Sequence, residues 1–570
     1  MSENKKDPLQ YNFDDQWDVE QALLGKYQGS SGKSQVKHDG DVDIFVSVIQ
    51  TQNQSQTPHR TTSRPAGTAA STTGRYERPK TQSGGSSRMP AQPARPRPST
   101  KKKKRRRKVN YKGIAILAIM AIVAILLLYL IIRFFVWVLS PGEGIRSEST
   151  APTVVVVETE ETTTAPTVAE DQIVADLIAV ADRQAAMYDY DTAMATIESF
   201  GSGWEKKTEL AEARQRYEDL KAQTVRWADT TTIPHVFFHS LIADNSRAFD
   251  GQYTEGGYNQ YMTTIYEFER ILEEMYARGF VLVKIHDIAK LVTDENGNQV
   301  YRQGDIYLPE GKKPFVMSQD DVNYYEYMVD SDGDHLPDAG GDGFAHKLLV
   351  GSDGRITCEY ITAEGQTVYG DYDLVPILET FIEKHPDFSY RGAKAIVALT
   401  GYEGVYGYRT DKDGKERLSP EDYQKEVDGA KAVTQWLLDN GWEISSHSYG
   451  HPAYGNISAQ SLANDVARWE EEVQPIVGDT DIILYPFGSD IAGIGKYSGE
   501  KYETMYAAGY RFFCNVDSSD YWVQIRDKYV RQGRRNLDGY RMWYNPGMLD
   551  DLFDVADVFD PERPTPVPPI

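Results

Sequence analysis

The chain has 570 residues, and its 85 Asp and Glu outnumber its 61 Lys and Arg to give a formal net charge of −24. That balance argues against a body that binds nucleic acid, and the length allows several domains. With Cys358 and Cys514 as the only cysteines, the composition excludes a disulfide framework and a cysteine-based metal site, although one disulfide between the two stays open.

The first 140 residues predict a tail and a membrane anchor. Residues 1–110 are basic and rich in Ser, Thr, Gln, Gly and Pro, which is typical of disorder. Residues 113–132 carry no charge and come shortly after eight basic residues at 101–108. A run of this length can cross a bilayer, so a transmembrane helix is predicted within 111–140. A cleaved signal peptide fits less well, because the apolar run is too long and lies too far from the start.

The basic run sets the predicted orientation and location. By the positive-inside rule, the N-terminus is cytoplasmic and everything after the anchor is extracellular, as in a single-pass type II protein of the cell membrane. The basic residues also suit contact with anionic membrane lipid. No nucleic-acid partner is expected.

Residues 141–230 predict a stalk and a small helical spacer. The stalk, 141–169, is rich in Thr, Val and Glu, and residues 170–230 carry apolar residues at helical spacing. The pattern predicts an antiparallel helical pair with a Gly-Ser-Gly break at 201–203. A likeness to one tetratricopeptide unit is weak, because such units act in arrays. A spacer that lifts the next domain off the membrane is the simpler interpretation.

Between residues 231 and 558, apolar runs alternate with helical patterns. This alternation predicts an α/β fold with a parallel sheet, and the number of strands favours a distorted (β/α) barrel. An insertion is predicted at 328–372 and a Pro-rich tail at 559–570. The predicted strands are 234–239, 280–285, 314–318, 393–399, 442–445, 481–485 and 512–516. The predicted helices are 258–278, 373–384, 419–440, 458–477 and 501–508.

An acidic pair, Asp320 and Asp321, follows the predicted strand at 314–318. At the carboxyl end of a barrel strand, both would lie on the face where such barrels carry their active sites. Neighbouring residues of a strand point in different directions, so one carboxylate can bind a metal while the other faces substrate. An isolated acidic pair, however, is more often a solvated turn.

His447 and His451 lie four residues apart, just after the predicted strand at 442–445. On a helical turn this spacing puts both imidazoles on one face, a common arrangement of two metal ligands. With Asp321 they would complete a three-ligand site that keeps a position for water. Two unrelated surface histidines are the competing interpretation of the spacing alone, and the acidic pair favours the metal site.

These motifs resemble those of the polysaccharide deacetylases of the NodB homology type, carbohydrate esterase family 4. The family motif T-F-D-D-G corresponds to Ser-Gln-Asp-Asp-Val at 318–322, and H-S/T-x-x-H corresponds to the segment from His447 to His451. The resemblance implies that Asp320 is the general base. It also implies that Asp321, His447 and His451 bind one divalent metal, with zinc as the first expectation and cobalt or nickel as alternatives.

Two further motifs supply substrate-binding residues through the same resemblance. The family motif R-x-P-Y/F-G corresponds to Leu-Tyr-Pro-Phe-Gly at 484–488. The motif D-x-x-D-W resembles Asp-Ser-Ser-Asp-Tyr-Trp at 517–522. Pro486 and Phe487 would then face the substrate, and the Phe487 backbone N–H would bind the oxyanion. Asp517, Asp520 and Trp522 would line the acetyl pocket.

The catalytic acid is expected near the start of the domain. The family's usual C-terminal histidine is absent, because no His follows His451. A circularly permuted branch, which includes poly-N-acetylglucosamine deacetylases, opens on P-V-L-M-Y-H, and this chain reads Pro-His-Val-Phe-Phe-His at 234–239. The resemblance gives the acid role to His239. A core histidine at a strand end is the competing interpretation.

Three residues depart from the family motifs. Gln319 and Val322 replace a Phe and a Gly, and Leu484 replaces the arginine that tethers the base in many members. The substitute for that arginine stays open among Arg391, Arg409, Arg531 and Arg534.

The sequence therefore predicts a membrane-anchored, extracellular, metal-dependent hydrolase of non-peptide carbon–nitrogen bonds. Its expected substrate is an N-acetylated polysaccharide, either peptidoglycan or an exopolysaccharide. The degenerate motifs leave a second hypothesis, a weakly active or inactive glycan-binding module on the same fold. A metallopeptidase is a weaker hypothesis, because the chain has no H-E-x-x-H motif. Tyr540, Trp543 and Tyr544 could stack on sugar rings or pack in the core.

Overall fold

The structure is a computed structural model. It describes residues 170–252, 254–330, 335–339, 341–493, 495–517 and 521–570. The predicted tail, transmembrane helix and stalk lie outside these residues and stay predictions. Within the described part of the chain, no helix is long and apolar enough to cross a bilayer.

Strands and helices are numbered in chain order. The strands are β1 (Thr224–Arg226), β2 (His235–Phe238), β3 (Phe280–Leu282), β4 (Ala289–Thr293), β5 (Gln299–Gln303), β6 (Tyr307–Pro309), β7 (Lys313–Gln319), β8 (Lys347–Val350), β9 (Ile356–Ile361), β10 (Thr367–Gly370), β11 (Ile396–Leu399), β12 (Glu443–Ser446), β13 (Ile482–Leu484), β14 (Phe512–Val516), β15 (Val523–Ile525) and β16 (Val530–Asn536). The helices are α1 (Glu170–Ala186), α2 (Tyr190–Glu198), α3 (Thr208–Ala222), α4 (Asn245–Ala248), α5 (Glu255–Tyr261), α6 (Ile265–Ala277), α7 (Ile285–Ile288), α8 (Leu374–Lys384), α9 (Lys412–Arg417), α10 (Pro420–Asp439), α11 (Ala459–Glu472), α12 (Gln474–Val477), α13 (Glu500–Ala507), α14 (Gly539–Tyr544) and α15 (Val555–Val558).

Seven parallel strands close into a barrel in the order β11-β12-β13-β14-β16-β2-β7, and β7 pairs back to β11. The register places His235 opposite Val316 between β2 and β7, and Ile396 opposite Ser318 where β7 meets β11. β3 pairs with the first residues of β7, and β15 runs antiparallel to β16. The carboxyl ends of the seven strands therefore lie on one rim, where barrels of this kind carry their active sites.

The barrel strands are buried on both faces, which explains why they read as short apolar runs. Every residue of β2, β11 and β12 is buried. The outer helices begin at side-chain caps. The Ser419 side chain accepts a hydrogen bond from the Asp422 N–H at the start of α10, and Thr264 and Glu267 form a capping box at the start of α6.

The apolar pattern predicts six of the seven barrel strands, and its other predicted strand, 280–285, begins as β3 outside the closed barrel. The barrel strand that the pattern misses is β16. Its sequence VRQGRRN holds three arginines, yet all of its residues are buried. The predicted helix 258–278 is divided into α5 and α6, because Met262 and Thr264 adopt extended conformations.

Within residues 170–230, the described part of the chain before the barrel, the structure has three helices, α1 to α3, where the pattern predicts a pair. The Tyr188 hydroxyl donates to the Asp387 carbonyl at 2.9 Å, and the Arg391 N–H donates to the Met187 carbonyl at 2.7 Å. Asp387 and Arg391 lie on the segment that leads into β11. The helices therefore dock at the amino end of the barrel, opposite the rim that carries the acidic pair.

Two other segments pack on the barrel domain. The predicted insertion carries an antiparallel sheet in the order β10-β9-β8. The Pro-rich tail lies against α5, where the Asn259 side chain donates to the Pro564 carbonyl at 2.9 Å and Val567 is fully buried.

The two cysteines do not form a disulfide. Cys358 lies in β9 and Cys514 in β14, and both are buried and free.

Candidate active site

The acidic pair lies directly after β7, on the rim where the barrel strands end. The Asp320 N–H donates to the Phe238 carbonyl at 2.8 Å, which fixes Asp320 beside the end of β2. Asp321 has a left-handed backbone with φ 60°. The chain therefore turns sharply between the two carboxylates, and they contact different partners.

His447 and His451 lie on a loop after β12, not on a helical turn. Ser448 and His451 have positive φ angles of 64° and 55°, so the loop folds back on itself. This conformation brings the Nε2 atoms of the two imidazoles within 3.1 Å of each other. The structure thus places both histidines at one point, as their spacing predicts, but it does so through left-handed loop residues instead of a helix face.

The protonation of His447 follows from its surroundings. Its Nδ1 lies 2.7 Å from the Leu484 carbonyl oxygen, which can only accept, so Nδ1 carries the proton and Nε2 faces His451. Burial is the main cause that lowers the pKa of His447, and it favours the neutral imidazole. A neutral imidazole with a bonded Nδ1 is the form that binds a metal.

Asp321, His447 and His451 form a cluster with the chemistry of a cation site. One ligand atom from each residue lies within 4.8 Å of the others, and the Asp321 Oδ2 is 3.9 Å from the His451 Nε2. Two imidazoles and one carboxylate suit zinc and related divalent cations. The residues present therefore fit the metal that the motifs imply.

Tyr325 holds Asp321 in place, and no motif marks this residue. Its hydroxyl donates to the Asp321 Oδ1 at 2.7 Å and lies 2.8 Å from the Thr400 Oγ1. Its ring stacks on Tyr402 with centroids 4.8 Å apart. The carboxylate is thus oriented by a fixed outer partner, as metal-binding carboxylates commonly are.

Arg534 of β16 is the partner of Asp320. Its Nη1 donates to the Asp320 Oδ1 at 2.6 Å, and both side chains are buried. Burial raises the pKa of the Asp320 carboxyl, but the charge and hydrogen bond of Arg534, together with the nearby His447 and His239, outweigh burial and hold the pKa well below its usual range. Asp320, which lacks the family's arginine at the position of Leu484, thus has an arginine partner from another strand. The other three candidate arginines pair elsewhere: Arg531 with Asp490, Arg409 with Glu326 and Arg391 with Asp191.

His239 lies immediately after β2, beside the acidic pair. The β2–β7 register sets Phe238 opposite Gln319, so His239 and Asp320 follow at the same level of the rim. The His239 Nδ1 lies 3.2 Å from the Tyr261 carbonyl oxygen. The other ring nitrogen, Nε2, does not take part in this contact. His239 is therefore largely buried, as a core histidine would be, but it also lies on the rim that carries the acidic pair.

Pro486 and Phe487 lie in a short 3₁₀ turn, Pro486–Gly488, that follows β13. Phe487 has a left-handed backbone with φ 55°. Its ring packs edge-on against His451 with centroids 4.5 Å apart. The turn therefore borders the histidine cluster, as the motif predicts.

Asp517 and Trp522 lie on the loop between β14 and β15. The Trp522 indole N–H donates to the Asp517 Oδ2 at 2.7 Å, and the Asp517 N–H donates to the Arg534 carbonyl at 2.9 Å. This loop is therefore tied to the strand that supplies the partner of Asp320. Asp520, the third residue of that motif, lies outside the described residues.

Gln319 and Val322 fit their surroundings without the usual Phe and Gly. The Gln319 amide donates to both carboxylate oxygens of buried Asp373 at 2.9 Å each, and the Tyr324 hydroxyl donates to the same carboxylate at 2.6 Å. Val322 is fully buried in the main core, while Asp321 makes the left-handed turn. Asp373, which lies directly after the insertion, therefore supplies the partner of Gln319, and core packing accommodates Val322.

Comparison with known proteins connects this site to a family. Residues 419–513, which include both histidines of the cluster and the 3₁₀ turn after β13, match the model of the polysaccharide deacetylase family. No curated protein matches the chain.

Among solved structures, the chain is similar to the Streptococcus pyogenes deacetylase PplD in complex with acetate, with 10% identity over 55% of this chain and 94% of that chain and a TM-score of 0.29. It is also similar to the BpsB deacetylase domain from Bordetella bronchiseptica, with 11% identity over 54% of this chain and 97% of that chain and a TM-score of 0.26. The family match confirms the resemblance that the motifs predict. Over residues 419–513 the chain is therefore similar to the polysaccharide deacetylases, a family of hydrolases of non-peptide carbon–nitrogen bonds.

Proposed function

We propose that the chain is a membrane-anchored, extracellular, metal-dependent deacetylase that removes N-acetyl groups from a cell-wall or secreted polysaccharide. One observation carries the proposal: three metal-ligand side chains, Asp321, His447 and His451, cluster beside a buried carboxylate, Asp320, that is paired with Arg534. The cluster lies on the barrel rim that holds active sites in this architecture.

In the proposed reaction the chain's own residues handle the protons. Asp320, kept ionised by Arg534, accepts the proton of the water that attacks the acetyl carbonyl carbon. The imidazolium form of His239, which keeps its Nδ1–H directed at the Tyr261 carbonyl, donates the Nε2 proton to the amine nitrogen as the carbon–nitrogen bond breaks. The Phe487 N–H stabilises the oxyanion. A divalent cation bound by Asp321, His447 and His451 would supply Lewis-acid polarisation of the carbonyl and a more acidic water.

Membrane anchoring and extracellular location rest on the sequence. The uncharged run at 113–132 and the basic run at 101–108 support a single-pass anchor with contact to membrane lipid. In that orientation the catalytic domain faces the polysaccharides outside the cell. The alternative of an inactive glycan-binding module loses its main support, because Arg534 replaces the arginine that Leu484 removes.

The test is release of acetate from N-acetylglucosamine oligomers by the full-length protein supplied with Zn²⁺ or Co²⁺. We expect activity in the wild type and a loss of about 100-fold or more in Asp320→Asn, because that change removes the general base. Asp557→Asn, the same chemical change at an exposed position, is the matched control and keeps wild-type activity. A protein that releases no acetate yet binds the oligomers would contradict the enzyme and favour the binding module.

A further inference from the structure

The solvent-facing side of α14 is made of aromatic rings. Tyr540, Trp543 and Tyr544 recur at the spacing of one helix face, whereas Arg541 and Met542 point into the protein and are buried. Trp543 and Tyr544 are each 40% exposed. Core packing, one of the two interpretations of these residues, therefore does not account for them. Clustered exposed aromatic rings are a common mark of a binding surface.

Neighbouring groups hold these three rings, which we call the aromatic ledge. Tyr540 and Tyr544 lie with ring centroids 4.7 Å apart, and Trp543 lies 5.9 Å from Phe559. The Tyr544 hydroxyl donates to the Val567 carbonyl at 2.8 Å. The Pro-rich tail thus supports the ledge from one side, so a ligand meets surfaces that are already ordered.

α14, the helix that carries the ledge, packs on α5, and the last residue of α5, Tyr261, contacts His239 through its carbonyl oxygen. α14 begins three residues after β16 ends at Asn536, on the same rim as the acidic pair. β16 pairs with β2, with Asn536 opposite Phe237, and the Leu537 N–H donates to the Phe237 carbonyl at 3.0 Å. The ledge therefore lies on a helix that is joined to His239 both through α5 and through the pairing of β16 with β2.

We propose that the aromatic ledge binds a sugar ring of the polysaccharide beyond the residue that is deacetylated, and so makes the protein prefer long glycans to short ones. This inference rests on the proposed function. A pyranose presents an apolar C–H face that stacks on an aromatic ring, while its hydroxyl edge stays in water. Half-exposed rings suit that ligand, because they cover one face of a sugar without enclosing its polar edge.

The test measures binding separately from catalysis. Isothermal titration calorimetry uses full-length protein that carries Asp320→Asn, so that the oligomers bind without being deacetylated. This parent and its ledge variants are each titrated with N-acetylglucosamine pentamer and dimer. We expect Trp543→Ala to weaken pentamer binding about tenfold and to leave dimer binding unchanged, as the loss of one aromatic stacking contact predicts. Tyr544→Phe keeps its ring and loses the bond to Val567 that orders it, so it should weaken pentamer binding by less than Trp543→Ala does.

Tyr307→Ala is the matched control for surface exposure. Tyr307 is 43% exposed in β6, which leads into the amino end of β7, away from the rim. It should change binding of neither oligomer. If Trp543→Ala weakens the binding of pentamer and dimer equally, or changes the binding of neither, the proposed role of the aromatic ledge is overturned. Selective loss of pentamer binding with no acetate release by the wild type would support the ledge and contradict the proposed function.

Discussion

The Arg534 guanidinium donates a 2.6 Å hydrogen bond to the Asp320 carboxylate, although β16, which carries Arg534, is not a neighbour of β7, which leads into Asp320. β2 lies between β16 and β7, and Arg534 also lies 4.3 Å from the Phe237 ring centroid on that strand. The family motif supplies this charge from the last residue of β13, the position of Leu484, whereas here it reaches Asp320 from β16. A buried carboxylate without this partner would be costly to ionise.

Arg534→Met should lower kcat by about 100-fold, because a base that is free to shift loses its alignment with the attacking water. Arg531→Met is the matched control: it is a buried arginine of the same strand, but it pairs with Asp490. Both variants should lose stability in thermal unfolding, while only Arg534→Met should lose activity per folded molecule. Equal activity in the two variants would exclude a positioning role for Arg534.

Metal binding should depend on the histidine cluster. We expect the wild type to retain one zinc per chain after dialysis and His447→Ala to retain far less, measured by elemental analysis of the purified proteins. Zinc at about 100 times its Kd should stabilise the wild type by about 2.7 kcal/mol, because it binds only the folded state. His346→Ala, at a buried histidine that contacts Glu359, should keep its zinc. Zinc retained by His447→Ala would place the metal elsewhere.

Tyr325→Phe should weaken zinc binding by about 10- to 100-fold, because the hydroxyl that orients Asp321 is lost while the ring can still stack on Tyr402. A competition titration with a chelator measures this change. Tyr258→Phe removes a comparable hydroxyl, which donates to the Asp342 carboxylate at 2.8 Å. That control should lose about 1 kcal/mol of stability and no metal affinity. Similar zinc affinities in the two variants would remove Tyr325 from the site.

His286 should make stability depend on pH at the amino end of the barrel. It bridges Glu443 and Asp481, with Asp287 nearby. Burial lowers the pKa of His286, but the hydrogen bonds and charges of Asp481 and Glu443 outweigh it and raise the pKa to about 10. The raised pKa means that the protonated imidazole stabilises the fold fully below the unfolded pKa of about 6.5, and that this contribution fades as pH rises towards 10.

The matching experiment compares wild type and His286→Gln by denaturant unfolding at pH 6 and pH 9. We expect the variant to be less stable by about 1 kcal/mol at the lower pH, because solvent screens a half-exposed pair. The difference should shrink at the higher pH. A difference in unfolding free energy that grows with pH would mean that the imidazole of His286 is not held protonated.

Much of the barrel and the site is predictable from the sequence, because apolar strands and the histidine motif are local patterns. β16 is not, since its buried arginines resemble a surface loop until the barrel closes around them. Arg534 could be named only as one of four candidates, because the choice depends on which strand faces Asp320. Tyr325 is missed for the same reason: its hydroxyl matters only through the turn at Asp321.

The most direct test of the account is zinc-dependent acetate release from N-acetylglucosamine pentamer by the full-length protein after its metals are stripped with a chelator. The account predicts that stripped protein is inactive and that one equivalent of zinc restores activity to the wild type but not to His447→Ala. Full activity in the stripped protein, or equal reactivation of both proteins, would contradict a catalytic metal held by Asp321, His447 and His451.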